Sequence, residues 1–156
     1  MYTMRMKNDM EKHKAACKTF LEEQEYAVIA SASAESVPSV AVVTYLIDDD
    51  WNIYFFTRKS TTKARNISEN KAVSLVVGVG PAPMSAQING RAEKLDEKEN
   101  DYWMDEFLVR RDGFYATFLK LEGFDFEGYV VRPERIRWLN IDSDTKKESQ
   151  IEISFP

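Results

Sequence analysis

The stretch Asn52 to Val77, NIYFFTRKSTTKARNISENKAVSLVV, gathers the side chains best suited to holding an anion. Ile53 to Phe56 is β-branched and aromatic, as a strand requires. Thr57, Arg58, Lys59, Ser60, Thr61, Thr62 and Lys63 then supply hydroxyl and cationic donors where a short helix begins. A helix start offers unpaired backbone N–H groups and the positive end of a dipole, so an anion there gains hydrogen bonds and electrostatic attraction together. The segment reads as a phosphate cradle. An ordinary hydroxyl-capped helix with solvated lysines fits the same residues, and both readings stay open at this point.

Other chemistry has less support. The chain holds one cysteine, Cys17, and one histidine, His13. They lie about one helical turn apart on a similar face, so a nucleophile–base pair is sterically conceivable, but such a cysteine more often serves as a small buried hydrophobe. One histidine and one cysteine also argue against a zinc site. Asp48, Asp49 and Asp50 lack the further carboxylates and glycine of a calcium loop and read as an acidic hairpin turn. The 156 residues, 44% hydrophobic and 12% aromatic, suit one domain over 1–156 with a core that needs no staple. A net charge of -5 argues against a general nucleic-acid surface. No N-terminal apolar run resembles a signal peptide or membrane span, so a reducing cytoplasm is the expected location.

The elements that must position the cradle follow from hydrophobic period and chain breakers. Asn8 or Asp9 is expected to cap an amphipathic helix over about residues 9–24, carrying Met10, His13, Cys17, Phe20 and Leu21. Strands are expected over Tyr26 to Ser33, Val37 to Ile47, Asn52 to Thr57, Ala72 to Val79 and Met84 to Leu95. Two more, Phe124 to Val131 and Arg135 to Ile141, flank a turn at Pro133. A short helix spans Thr61 to Glu69, and a charged one spans Glu97 to Arg110 with Tyr102, Trp103, Phe107 and Leu108 as its apolar contacts. Gly80, Pro81, Ala82 and Pro83 interrupt the chain. Asp112 to Gly123 is loop-rich, with Phe114, Tyr115 and Phe118 as core or interface residues. The tail over 142–156 is polar before a short alternating end. Six or seven mostly antiparallel strands with two or three peripheral helices describe a mostly β, α+β domain, a small barrel with helices outside, because closure removes vulnerable edges.

In order and spacing, the strand PSVAVVTYL, the hairpin into IYFFT, the turn and helix STTKARNI, the strand AVSLVV and the segment AQINGRAEKL resemble the pyridoxamine 5'-phosphate oxidase-related family, the FMN-binding split barrels. The likeness covers about residues 12 to 141. It implies an antiparallel split β-barrel over about 26–141 and a homodimer with two FMN sites between the subunits, each flavin phosphate lying on the strand-to-helix turn of one chain. Position by position, it implies that Val43 and Thr44, with Tyr45 adjacent, line the flavin, and that Phe56 and Thr57 close the next strand. Thr61, Thr62 and Lys63 match the family's hydroxyl, basic and lysine positions at the phosphate. Thr62 stands where an arginine is usual, which leaves Arg58 or Lys59 to supply charge; one or two cations with backbone N–H groups suffice, because charge-assisted bonds are strong. On Met84 to Leu95 the family places a polar side chain near the flavin. Ser85 and Gln87 share one face by the two-residue period, and Gln87 both donates and accepts. Trp138 and Trp103 are candidates to border the ring from the partner subunit, with core or interface packing as the alternative for each.

Departures from the family narrow the reaction. Authentic pyridoxamine phosphate oxidases carry an arginine and a lysine on the strand corresponding to Val40 to Leu46, and a C-terminal run with arginine and histidine. Here that strand has no basic residue, and no histidine accompanies Arg132, Arg135 and Arg137. The likeness is closer to the general stress protein-like and uncharacterised flavin-binding branch. It implies an FMN-dependent oxidoreductase other than a vitamin B6 oxidase. The alternatives are a non-catalytic flavin-binding or stress-response module, a barrel turned to deazaflavin F420 or haem, and a dimerisation scaffold that has lost its ligand. Haem is disfavoured because His13 lies outside the barrel strands.

Overall fold

Strands form where β-branched and aromatic residues alternate with small or polar ones, and three helices pack outside them. The computed structural model describes residues 1–78, 83–111, 125–141 and 145–156, apart from the side chain of Tyr2. The chain runs α1 (Tyr2–Glu23), β1 (Tyr26–Ala32), β2 (Pro38–Thr44), β3 (Leu46–Ile47), β4 (Ile53–Arg58), α2 (Thr62–Glu69), β5 (Ala72–Val77), β6 (Met84–Lys94), α3 (Glu97–Arg110), β7 (Phe126–Ile141) and β8 (Glu148–Ser154). The expectations for Gly80, Pro81 and Ala82, and for Asp112 to Gly123 with Phe114, Tyr115 and Phe118, lie outside the described residues.

Every pairing is antiparallel, in the order β2-β1-β5-β6-β7-β4-β3, with β8 also on β7. The long strand β7 is the pivot. Its first half pairs with β4, from Arg58↔Phe126 to Ile53↔Val131, and its second half pairs with β8, from Arg135↔Ser154 to Ile141↔Glu148. Two sub-sheets therefore diverge from one strand, which makes an antiparallel split half-barrel of α+β class. Inward side chains of the strands, among them Ile29, Phe55, Leu75, Ile88 and Ile136, form the main core with Cys17, Phe20 and Leu21 of α1. A second cluster beneath α3 joins Leu46, Tyr54, Phe56, Leu95, Phe107 and Val130. Each such side chain contributes about 1.5–3 kcal/mol by leaving water.

Several sequence expectations change. Helix α1 starts at Tyr2, not near Asp9, because Met, Arg and Lys are good helix formers and Asn8 and Asp9 ride within it. No turn forms at Pro133. It pairs with Gly90, and Arg135 pairs with Asn89, so Glu134 is an extra residue bulged out of the ladder. A Cβ at Gly90 would strike the carbonyl of Arg132, so glycine is what lets the two backbones approach. The bulge accommodates the missing proline N–H by bending the strand without reversing it.

The strand expected from Val37 to Ile47 is broken at Tyr45. Its backbone N–H donates to Glu25 O (3.0 Å) and its buried hydroxyl donates to Leu21 O (2.6 Å). Arg111 then donates through Nε to Tyr45 O (3.3 Å) and through Nη2 to Gln24 O (3.1 Å). That junction carries the chain from β2 to β3, the two ends of the sheet order. With β3 and the alternating tail β8 counted, the described strands number eight, above the six or seven expected.

Candidate functional site

Strand β4 ends on a turn that leads into α2, and the local chemistry of this turn is directional. Thr61 is the N-cap, with extended backbone (φ -76, ψ 154), and its Oγ1 accepts from the Ala64 N–H at 3.4 Å. The same hydroxyl donates its one proton to Arg58 O at 2.9 Å. In the 3.1 Å contact between Thr57 Oγ1 and Thr61 Oγ1, Thr57 must then be the donor. The Thr57 oxygen is left to accept from Lys63 Nζ at 3.0 Å. A relay thus runs from Lys63 through Thr57 and Thr61 to the Arg58 carbonyl.

The relay leaves the Lys63 ammonium with two further N–H donors. Lys63 is half-buried, and desolvation holds its pKa below the ordinary lysine value. It makes no salt bridge with any described carboxylate. The N–H groups of Thr62 and Lys63 in the first turn of α2 have no acceptor within the helix. A partly desolvated cation beside unpaired amide donors is a setting that favours an anion.

The other basic residues divide. Lys59 turns away: its Nζ pairs with Asp125 at 3.2 Å and its backbone N–H donates to Asp125 O at 2.9 Å. Arg58 is exposed at the end of β4. Thr62 is exposed and lines a cavity of about 380 Å³ between α2 and the β1–β2 turn, together with Arg65, Asn66, Ser39 and Glu69. Arg65 makes no salt bridge among the described residues. Sequence reading passed over Arg65, although its place three residues after Thr62 puts it on the same helix face.

The remaining candidates separate by which face of the sheet they use. Val43 and Tyr45 are buried in the barrel, and Phe56 is buried under α3 edge-on to Phe107, so these side chains are committed to packing. Thr44 is half-buried at the end of β2. On β6, Ser85 is half-buried, and Gln87 is exposed on the outward face in an open groove with Val28, Ala30 and Val40. Ser85 and Gln87 lie on β6, whereas Lys63 lies on α2 and is bonded to Thr57 of β4. Trp138 lies in the core and not on the surface. It is fully buried within its own chain, 5.1 Å from the Phe20 ring, and its Nε1–H has no hydrogen-bond partner among the described residues. The reason is its inward register on β7, opposite Ala86 of β6 and Ile151 of β8. Trp103 stacks on Tyr54 at 3.6 Å, which accounts for that ring too.

Cys17 is fully buried, and burial pushes its thiol up to about 12, so it is a core side chain and not a nucleophile. The first aspartate of the hairpin is more than a solvated charge: Asp48 accepts from the Asn52 N–H (2.8 Å), Asn52 Nδ2 (3.0 Å) and the Tyr54 hydroxyl (2.9 Å), locking the turn. Among the described residues no group of three or more His, Cys, Asp or Glu side chains could hold a metal ion, and no helix is long and apolar enough to cross a membrane.

Comparison with known proteins agrees with the fold. The family model described as pyridoxamine 5'-phosphate oxidase matches residues 13–139. A pyridoxine/pyridoxamine 5'-phosphate oxidase of Rippkaea orientalis is 32% identical over 143 residues, 92% of this chain and 64% of that protein. The chain spans about a third of the length of other curated oxidases it matches. Among solved structures, a putative pyridoxamine 5'-phosphate oxidase from Listeria innocua superposes with a TM-score of 0.66 at 22% identity, covering 81% of this chain and 97% of that one. HutZ, the haem storage protein of Vibrio cholerae, superposes with a TM-score of 0.63 at 17% identity, covering 77% and 89%. Likeness at those identities speaks to the fold alone. The extent of the family match, together with the split-barrel topology, makes this chain a member of the pyridoxamine 5'-phosphate oxidase-related family.

Proposed function

We propose that the protein is an FMN-binding flavoprotein, an oxidoreductase that acts as a homodimer with the flavin phosphate on the Thr57–Lys63 turn. The observation that carries this reading is the half-buried Lys63 ammonium, which meets a hydroxyl and no described carboxylate at the open start of α2. Thr62 and the first-turn N–H groups fit the rest of a phosphate shell, while Thr57 and Thr61, whose hydroxyl protons are spent within the turn, hold the Lys63 ammonium in place. Arg65, with Arg58 nearby in sequence, offers the second cation where the family's arginine is replaced by Thr62.

Val43, Tyr45 and Phe56 have buried side chains, so only their backbone atoms are left to border the ribityl chain or ring, whereas Thr44 retains a partly open side chain. Ser85 and Gln87 offer donors and acceptors to a flavin held on the turn of a second protomer. An outward apolar patch supports the dimer: Val40, Val42, Val37 and Tyr26 are 70%, 66%, 62% and 55% exposed. A patch of this kind pairs with itself in an isologous contact. Bound FMN supplies hydride or electron transfer, and the chain's residues bind it, orient it and limit access. Vitamin B6 oxidation is outside the reading, because Val40 to Leu46 carries no cation for a second phosphate.

The test is an ultraviolet-visible spectrum of native protein with mass analysis of the released ligand. Flavin bands and the mass of FMN support the reading; a Soret band or a deazaflavin peak overturns it. A second reading, a flavin-binding module without turnover, is favoured by the make-up of the turn, whose ammonium and amide donors suit holding an anion. Anaerobic reduction of the bound flavin by NAD(P)H or a substrate, followed by reoxidation with an acceptor, separates the two.

A further inference from the structure

We infer that the first three turns of α1 are a docking arm that packs against a second copy of this chain. The inference rests on the homodimer reading above and adds a contact outside the sheet patch. Met6, Met10, His13, Cys17 and Leu21 follow one another at three- or four-residue steps and so share one helix face. The inner end of that stripe is core: Cys17 and Leu21 are 0% exposed. The outer end is bare. Every described side chain from Met1 to Lys12 is exposed, with Met6 at 58% and Met10 at 42%.

Beyond the helix propensity of Met, Arg and Lys, little local holds a helix there. Its N-cap, Met1, makes no side-chain cap bond and the first turn has no acidic residue. No salt bridge among the described residues involves 1–14; the nearest, Lys18–Glu22, belongs to the anchored half. Extension from an anchored helix avoids the nucleation cost, but a segment without packing, cap or ion pairs is marginal in water. An apolar stripe on such a segment calls for a covering surface, and methionine adapts to irregular ones.

Charge points to a second copy as the cover. Residues 1–12 carry Arg5, Lys7 and Lys12 against Asp9 and Glu11, a surplus of one positive charge. The whole chain has a net charge of -5, so the remainder has a net charge of -6. A cationic arm and an acidic body of the same chain attract each other across a symmetric contact. At about 1.5 Å per residue the arm reaches roughly 18 Å, enough to extend past the edge of a sheet-to-sheet contact.

The test combines sedimentation equilibrium over a salt series with hydrogen exchange on the full chain, neither of which depends on flavin. In the wild-type dimer the amides of residues 3–12 should exchange slowly and lose that protection on dilution. Met6→Glu/Met10→Glu, at positions exposed in the protomer, should raise the dimer dissociation constant by about tenfold or more, the scale of one buried methionine. Added salt should weaken the wild-type dimer. If wild type is a dimer but the variant dissociates at the same concentration and the arm amides exchange freely, the arm is wrong and the dimer stands. If wild type is monomeric at every concentration while Val42→Glu changes nothing, the dimer reading fails and the arm with it.

Discussion

Two cation-bearing regions border α2, and they are wired differently. In one, a cavity of about 530 Å³ is lined by Lys59, Lys71 and Lys94 together with Glu93 and Glu127. Each of those lysines has a carboxylate: Lys94 meets Glu127 at 2.7 Å, Lys59 meets Asp125 at 3.2 Å and Lys71 meets Glu93 at 3.7 Å. Burial alone would raise the Glu127 pKa, but hydrogen bonds from Lys94 and from the Tyr129 hydroxyl, with the Lys94 and Lys59 charges, outweigh it and hold the pKa low. In the other, Lys63 is held by a threonine hydroxyl with no described carboxylate and keeps donors in reserve. A local density of lysines is therefore a poor guide to a site. A cation that meets no described carboxylate is the better candidate for one.

The largest expected effect sharpens that contrast. Lys63→Ala should weaken FMN retention by about 1–3 kcal/mol, the scale of a hydrogen bond to a charged group, as read by equilibrium dialysis of the flavin. Lys94→Ala, in the other region, should leave retention unchanged, and equal losses in the two variants would erase the distinction drawn between the regions.

A pH titration probes the same residue without mutation. Desolvation lowers the Lys63 pKa in the folded chain, so at pH below both its folded and unfolded values the buried charge weighs against folding. That penalty is relieved as pH rises through the folded value, and ligand-free protein gains stability over the window up to the ordinary lysine pKa. Phosphate binding has the opposite sign, because it needs the proton. Flavin retention should fall across that alkaline window in wild type, stay flat in Lys63→Ala, and persist to higher pH in Lys63→Arg.

A smaller effect is expected at the cap. Thr61→Ala removes the acceptor for the Ala64 N–H and the partner of Thr57, costing about 1 kcal/mol of stability in denaturant unfolding and loosening the flavin as well. The smallest belongs to Lys59→Ala. Its pair with Asp125 is half-exposed or more on both sides, so unfolding should shift by only about 0.2–1 kcal/mol. A drop in flavin retention on that change would mean Lys59 leaves Asp125 to serve the phosphate.

Much of the fold was written locally. Helix α3 begins at Glu97 because Asp96 caps it, its carboxylate accepting from the Glu99 N–H at 2.8 Å, and α2 begins after Thr61 for the same reason. Alternation in β1 and β6 puts Ile29 and Ile88 inward and leaves Gln87 outward. Periods and caps act over a few residues, so these features can be read along the chain, and the hydroxyl and lysine set of the turn could be read with them.

Tertiary structure decided the rest, through contacts between residues far apart in sequence. The β4–β7 register pairs Thr57 with Glu127 and so brings Asp125 to Lys59, which separates two lysines that look alike in the sequence. The bulge opposite Gly90 turned an expected reversal at Pro133 into one continuous strand, and the inward register on that strand sent Trp138 to the core. Whether a charged or aromatic side chain is available to a ligand depends on which distant group neutralises or covers it. That is fixed by strand register, and a linear pattern of residue types does not encode it.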